Sequence, residues 1–138
     1  MELFLQFVLA KWYLFAAALV LLTLLIAHEN RKGAAAVTPA QLTALLNRED
    51  GVVLDVRDAN DFREGHIVDS LNIPHARVRE RAAELERYRN RPLIVVCRMG
   101  QFSGSVAKTL KEQGFSRVYR LGGGVLEWQN AQLPLVKS

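Results

Sequence analysis

The sequence predicts an α/β fold, a mainly parallel sheet covered by helices on both faces, preceded by one transmembrane helix. Three observations carry this. Between Gly51 and Leu121, short runs of β-branched and aliphatic residues alternate with stretches of helical period. Parallel strands need long crossovers, and each crossover helix covers one face of the sheet. The 138 residues suit one ordinary domain. Finally, the apolar half of the chain is unevenly spread, since every residue from Trp12 to Ala27 except Thr23 is apolar.

As a helix, Trp12 to Ala27 would be roughly 24 Å long at 1.5 Å per residue, less than the roughly 30 Å hydrocarbon core of a bilayer. Phe7 to Ala10 supply the missing length, with Lys11 snorkelling at an interface that Trp12 and Tyr13 also suit. Residues 7–27 are therefore expected to span a membrane. A buried core helix is the weaker alternative, because the run is apolar on all faces. A cleavable signal peptide is also weaker, because the first ten residues lack Lys and Arg, and Arg31-Lys32 separates the apolar run from Ala34-Ala35-Ala36. Those two cations directly follow the span, so the C-terminal part is expected on the cytoplasmic side of a bacterial-type inner membrane. Residues 28–36 read as a juxtamembrane linker and 37–138 as the domain.

Thr38-Pro39-Ala40-Gln41 combines an N-cap, a first-turn proline and a capping-box Gln, and starts a helix with Leu42, Leu45 and Leu46 on one face. Gly51 to Val56 is a strand. Asp58 caps a short helix ending near Gly65, and Ser70 to Ile73 is a second strand stopped by Pro74. Residues 75–89 have helical period, with Val78, Ala82, Leu85 and Tyr88 turned inward. Leu93 to Val96 is continuously apolar, as a strand covered on both faces must be. Ser105 to Gln113 reads as a helix closed by Gly114, and Arg117 to Leu121 as the last strand.

Composition narrows the chemistry. A lone cysteine, Cys97, makes neither an internal disulfide nor a thiolate-rich metal centre, and His28, His66 and His75 are scattered. No metal and no cofactor is expected. The formal net charge of +4 lies beyond the apolar run, where Lys and Arg are interleaved with acids. That pattern gives no expectation of a nucleic-acid partner.

Cys97 ends the buried-strand pattern and is followed by Arg98, Met99, Gly100, Gln101, Phe102, Ser103 and Gly104. Parallel α/β sheets bind ligands beyond the carboxyl ends of their strands, beside helix N-termini. A loop returning there can turn several N–H groups toward one centre, with Gly100 and Gly104 allowing the backbone angles. The helix N-terminus and Arg98 both favour an anion at that place. A small apolar core cysteine is the bland alternative. Phosphate chemistry would want an arginine six residues after the cysteine, where Ser103 stands.

Three stretches together resemble the rhodanese-like sulfurtransferases over about residues 37–136. They are Val52-Val53-Leu54-Asp55-Val56-Arg57 followed by Asp61-Phe62, Gly65-His66-Ile67 and Asn72-Ile73-Pro74; the loop from Cys97-Arg98-Met99-Gly100; and Gly114-Phe115 through Leu121-Gly122-Gly123 to Trp128 and Leu133-Pro134. The resemblance implies a three-layer domain with a five-stranded sheet. It implies that Cys97 is the catalytic sulfur carrier, taking sulfur from thiosulfate or a persulfide donor and passing it to a thiol or cyanide. Arg98, Met99, Gly100, Gln101, Phe102 and Ser103 would form the substrate-binding loop, with the N–H groups of 98–102 holding the persulfide charge. Asp55 and Arg57, beside the site, read as an ion pair bracing the fold, and His66 as a packing residue. Gly122-Gly123-Gly124 would let backbone approach the loop, and Val125, Leu126 and Trp128 would form a core face. Met99 stands where thiosulfate-preferring members of that family often have a second basic residue, and Phe102 where many members have a polar or basic one. The competing expectation is a non-catalytic interaction module of the same fold, serving a partner in the membrane.

Overall fold

The computed structural model describes residues 1–31 and 34–137 and falls into two compact units, 1–32 and 33–138. The first holds α1 (Glu2–Ala10) and α2 (Trp12–Arg31). The chain bends by 60° between them, at Lys11, which leaves helical geometry with φ −117° and ψ 19°. The expected single span is thus two helices. Among the described residues no single helix is long and apolar enough to cross a membrane, whereas the bent pair Glu2–Ala10 and Trp12–His28 has the length and composition of a broken span. The break falls at the one charged residue that interrupts the apolar sequence. The Thr23 hydroxyl donates to the Leu19 and Val20 carbonyls at 2.7 and 2.9 Å, so the polar group within α2 is satisfied by its own helix.

The second unit runs β1 (Ala35–Val37), α3 (Pro39–Arg48), β2 (Val52–Asp55), α4 (Ala59–Glu64) and β3 (Leu71–Asn72). It continues with α5 (Val78–Arg81) between 3-10 turns at His75–Arg77 and Ala82–Tyr88, then β4 (Leu93–Val96), α6 (Ser103–Glu112), β5 (Val118–Leu121) and α7 (Gly124–Asn130). The five strands are all parallel in the order β1-β5-β4-β2-β3. Leu93 of β4 sits opposite Val52 on one side and Val118 on the other, which places β4 at the centre of the sheet.

Side-chain alternation along β4 divides the core. Leu93, Val95 and Cys97 pack with Val78, Leu85, Val106, Ala107 and Leu110. Ile94 and Val96 pack with Leu42, Leu121, Val125 and Trp128. Both sets are buried, so the strand must be apolar on both faces. The capping box is complete: Gln41 N–H donates to Thr38 Oγ1 at 3.2 Å, and Thr38 N–H to Gln41 Oε1 at 2.9 Å. Asp58 occupies the N-cap of α4 without a side-chain hydrogen bond to it.

Several elements depart from the sequence expectation. The stretch expected as a linker, 28–36, carries the end of α2 and most of β1; Lys32, Gly33 and Ser138 lie outside the described residues. Ala35–Val37 forms a strand by pairing with Tyr119–Leu121, a long-range partner that no local pattern announces. Residues 75–88 are a broken helix. From Ala82 onward the apolar positions Ala82, Leu85 and Tyr88 recur every three residues, a spacing that 3-10 geometry brings onto one side. Leu126 is exposed while Val125 and Trp128 are buried, because α7 turns only a narrow face to the core. The Trp128 indole N–H donates to the Pro134 carbonyl at 3.0 Å, securing that face.

Leu54 is fully buried at the middle of β2. Leu54→Ala is expected to cost about 2–5 kcal/mol through lost transfer energy and a residual cavity, whereas Leu126→Ala on the exposed side of α7 costs less than about 0.5 kcal/mol. Denaturant midpoints of the far-UV signal measure both.

Candidate active site

Strand β4 ends at Val96, and the loop that follows carries the chain back to the adjoining helix α6. Cys97 is buried at the base of this loop, 1% exposed, yet it lines a small chamber. Its sulfur has two polar neighbours. Gly100 N–H donates to Sγ at 2.9 Å, and Gln101 Oε1 lies 3.9 Å from Sγ. The same Gln101 oxygen accepts Met99 N–H at 3.0 Å. The thiol form is served by the side-chain oxygen as acceptor, the thiolate form by the backbone donor.

Gly100 reaches that position with φ +94°, in the left-handed region that favours glycine. The loop is held from behind by α7. Val125 N–H donates to the Cys97 carbonyl at 2.8 Å and Leu126 N–H to the Arg98 carbonyl at 3.1 Å. These are first-turn amides of α7, which no carbonyl of their own helix can satisfy. Gly124 makes the approach possible: it has φ +64°, and a Cβ there would fall 2.7 Å from the Arg98 carbonyl oxygen. The Ser103 hydroxyl, wholly buried, ties α6 back to the loop by donating to the Gly100 carbonyl at 3.1 Å. The helix α6 consequently starts at Ser103, two residues before the sequence pattern places it.

The chamber over Cys97 measures about 110 Å³ and is lined by Val56, Arg57, Asp58, Asp61 and His75 as well as by Cys97, Arg98, Gln101 and Phe102. The Phe102 ring stacks on His75 with centroids 4.1 Å apart and planes 7° from parallel. That pair forms a wall of the chamber. His75 is not legible from sequence as a site residue. It reaches the site because its N–H donates to the Val56 carbonyl at 2.9 Å, extending the alignment beyond β2 and β3. The preceding Pro74 is the sole local sign of a turn there.

Asp55 and Arg57 do form an ion pair, nearly shielded from solvent. Arg57 Nε and Nη2 donate to the two carboxylate oxygens of Asp55 at 3.0 and 2.8 Å, and Nη2 also donates to the Gly65 carbonyl at 2.7 Å. Asn72 Nδ2 donates to the Asp55 and Arg57 carbonyls, at 3.1 and 2.9 Å, which locks this corner to β3. His66 is buried, stacks on Phe62 at 3.8 Å, and has Nδ1 2.7 Å from the Phe62 carbonyl, so it packs and does not line the chamber. Arg98, Met99, Gln101 and Phe102 are exposed, with Ser103 turned inward.

A parallel three-layer domain with a cysteine cradled in the loop between its central strand and the next helix defines a rhodanese-like class of protein. Residues 38–131 match the rhodanese-like domain family, and the chain belongs to it. Among its relatives, the uncharacterized protein YibN of Escherichia coli K12 is 38% identical over 103 residues, spanning 74% of this chain and 72% of YibN. The thiosulfate sulfurtransferase GlpE of Pseudoalteromonas translucida is 38% identical over 95 residues, 69% of this chain and 89% of GlpE. Of solved structures, a rhodanese-related protein from Thermoplasma volcanium superposes with TM-score 0.68 at 28% identity, covering 75% of this chain and 99% of that one. A thiosulfate sulfurtransferase from Pseudomonas aeruginosa does so with TM-score 0.65 at 31% identity, covering 75% of this chain and 20% of its own.

Gly124→Ala is expected to destabilise the domain by about 1–3 kcal/mol and to loosen the loop, because the new Cβ meets backbone and the left-handed angle becomes strained. Gly104, within α6, is the contrast, since a Cβ added there would meet no atom within 4 Å. Gly104→Ala is expected to gain about 0.5–1 kcal/mol. Denaturation midpoints read the stability, and faster alkylation of Cys97 in Gly124→Ala reads the loosened loop.

Proposed function

We propose that the domain is a sulfurtransferase whose Cys97 carries a sulfane sulfur from a thiosulfate or persulfide donor to a thiol or cyanide acceptor. The observation that carries this reading is the 2.9 Å hydrogen bond from Gly100 N–H to Cys97 Sγ within a chamber large enough for a small sulfur anion. In the first step the Cys97 thiolate attacks the outer sulfur of the donor. A new S–S bond forms on Cys97, the donor's S–S bond breaks, and sulfite or a thiolate leaves. In the second step the acceptor attacks that outer sulfur, and Cys97 departs as a thiolate. Backbone N–H groups suit both steps because negative charge sits on sulfur throughout, and preorganised donors stabilise it without reorganising. Membership of the family and 38% identity to GlpE support the same chemistry.

The loop's side chains bear on the donor. Arg98 is its only cation, while Met99 and Phe102 present exposed apolar surface. A dianionic donor gains little there beyond the backbone and Arg98, so a less charged persulfide is the better substrate in this reading. We further propose that residues 7–27, lying within the bent helix pair Glu2–Ala10 and Trp12–His28, attach the protein to a bacterial-type inner membrane with the domain in the cytoplasm. Thr23, bonded within its own helix, and the apolar surface from Leu14 to Ile26 support that attachment.

Incubating the full-length chain with a sulfane donor and weighing it is expected to reveal one added sulfur that Cys97→Ser lacks; no adduct with thiosulfate or with a persulfide would end the proposal. Met99→Lys is expected to improve thiosulfate turnover about tenfold or more, chiefly through KM, since a charge-assisted hydrogen bond contributes about 1.5–3 kcal/mol. For the membrane proposal, the chain should stay with the membrane fraction after alkaline carbonate washing, and protease outside intact cells should leave the domain uncut. Release by carbonate, or digestion from outside, would refute attachment and orientation respectively.

A further inference from the structure

Arg57, Asp61 and Arg98 line two spaces at once. One is the chamber of about 110 Å³ over Cys97. The other is a neighbouring groove of about 410 Å³ that Cys97 does not line. Its size falls among pockets that hold ligands much larger than a sulfur anion. Its apolar wall includes Met99 and Leu126, 55% and 47% exposed. Exposed apolar side chains on a concave surface offer a binding molecule apolar area to cover. Two acids, Asp61 and Glu64, and two cations, Arg57 and Arg98, also line it. Asp61 and Glu64 stand three residues apart on α4, hence on one side of it, and neither enters a salt bridge among the described residues. Of the two cations at the junction, Arg57 is engaged by Asp55, leaving Arg98 toward the donor.

We propose that this groove receives a cysteine-bearing polypeptide segment as the sulfur acceptor, with a basic residue beside the cysteine against Asp61 and Glu64 and an apolar residue against Met99 and Leu126. The proposal deepens the sulfur-transfer reading and rests on it. The acceptor thiol gives its proton to solvent, and its thiolate passes Arg98 to attack the outer sulfur on Cys97. One S–S bond forms on the acceptor and the one to Cys97 breaks. The electron pair returns to Cys97 Sγ, where Gly100 N–H receives the charge, and no other oxidant or reductant takes part.

The test uses the full-length chain in detergent, loaded with sulfur, and compares transfer to capped Lys-Cys-Leu and Glu-Cys-Leu peptides and to cyanide. Two solvent-facing carboxylates acting together are expected to favour the cationic peptide by about tenfold in kcat/KM over the acidic one. Glu64→Lys is expected to abolish that preference, and Leu126→Ser to lower the peptide-to-cyanide ratio. Equal rates on the two peptides, a preference unmoved by Glu64→Lys, or a small neutral thiol matching the cationic peptide would overturn the proposal while sulfur transfer itself stood. A second arm measures binding of a fluorescent Lys-Ser-Leu peptide to the Cys97→Ser chain. Binding there that Glu64→Lys weakens supports the groove even if no sulfur loads onto Cys97, in which case the sulfur-transfer reading alone falls. No binding in that arm overturns the groove.

Discussion

Two hydrogen bonds from the first turn of α7, Val125 N–H to the Cys97 carbonyl and Leu126 N–H to the Arg98 carbonyl, set the shape of the site. A trans peptide unit holds its C=O and N–H on opposite sides. Carbonyls drawn toward α7 therefore turn the following N–H groups away from α7, into the loop. The loop so turned presents an array of donors, of which Gly100 N–H meets Cys97 Sγ and Met99 N–H is taken by Gln101 Oε1. The same contact explains two features that are odd in isolation. The helix α7 opens on left-handed glycines because a Cβ at Gly124 would strike the loop backbone, and its first amides find partners outside their own helix.

The sheet delivers the cysteine to this array. Alternation along β4 directs Leu93 and Val95 to the α6 side, and Cys97 continues that row past the last paired residue. Its sulfur is therefore nearly enclosed by the core beneath while its open side meets the chamber. The corner formed by Asp55, Arg57 and Asn72 fixes the neighbouring strand ends, and most of the Arg57 charge is answered by Asp55. What remains to attract an anion is backbone and Arg98. Phe102, stacked on His75, closes one wall of the chamber.

Legibility from sequence follows the range of the forces involved. The capping box at Thr38, the apolar β4 and the glycine-rich turn before α7 are local, and each is readable from a few adjacent residues. So is the position of Cys97 at a strand end, and the Asp55–Arg57 pair, two residues apart. Strand β1 is hidden because Ala35–Val37 owes its conformation to β5, more than eighty residues away. The break at Lys11 reads from sequence as a snorkelling point in one continuous helix, since composition reports apolarity and not axis direction. His75 escapes sequence reasoning because stacking with Phe102 depends on how two separate connections meet above the sheet. The groove likewise brings Asp61 and Glu64 of α4 together with residues of α7 and the active loop, which no spacing rule relates.

The central claim is that the backbone amides of the Cys97–Ser103 loop, and Gly100 above all, hold the charge on sulfur. The most direct measurement is the amide proton and nitrogen shifts of the full-length chain in detergent, before and after a sulfane donor loads Cys97. A backbone donor that gains an anionic sulfur partner moves its proton downfield, so Gly100 and its loop neighbours should shift together while amides of α3 and β3 stay still. Loading of Cys97 with the Gly100 amide unmoved would contradict the claim, and would shift the burden of holding the charge to Arg98.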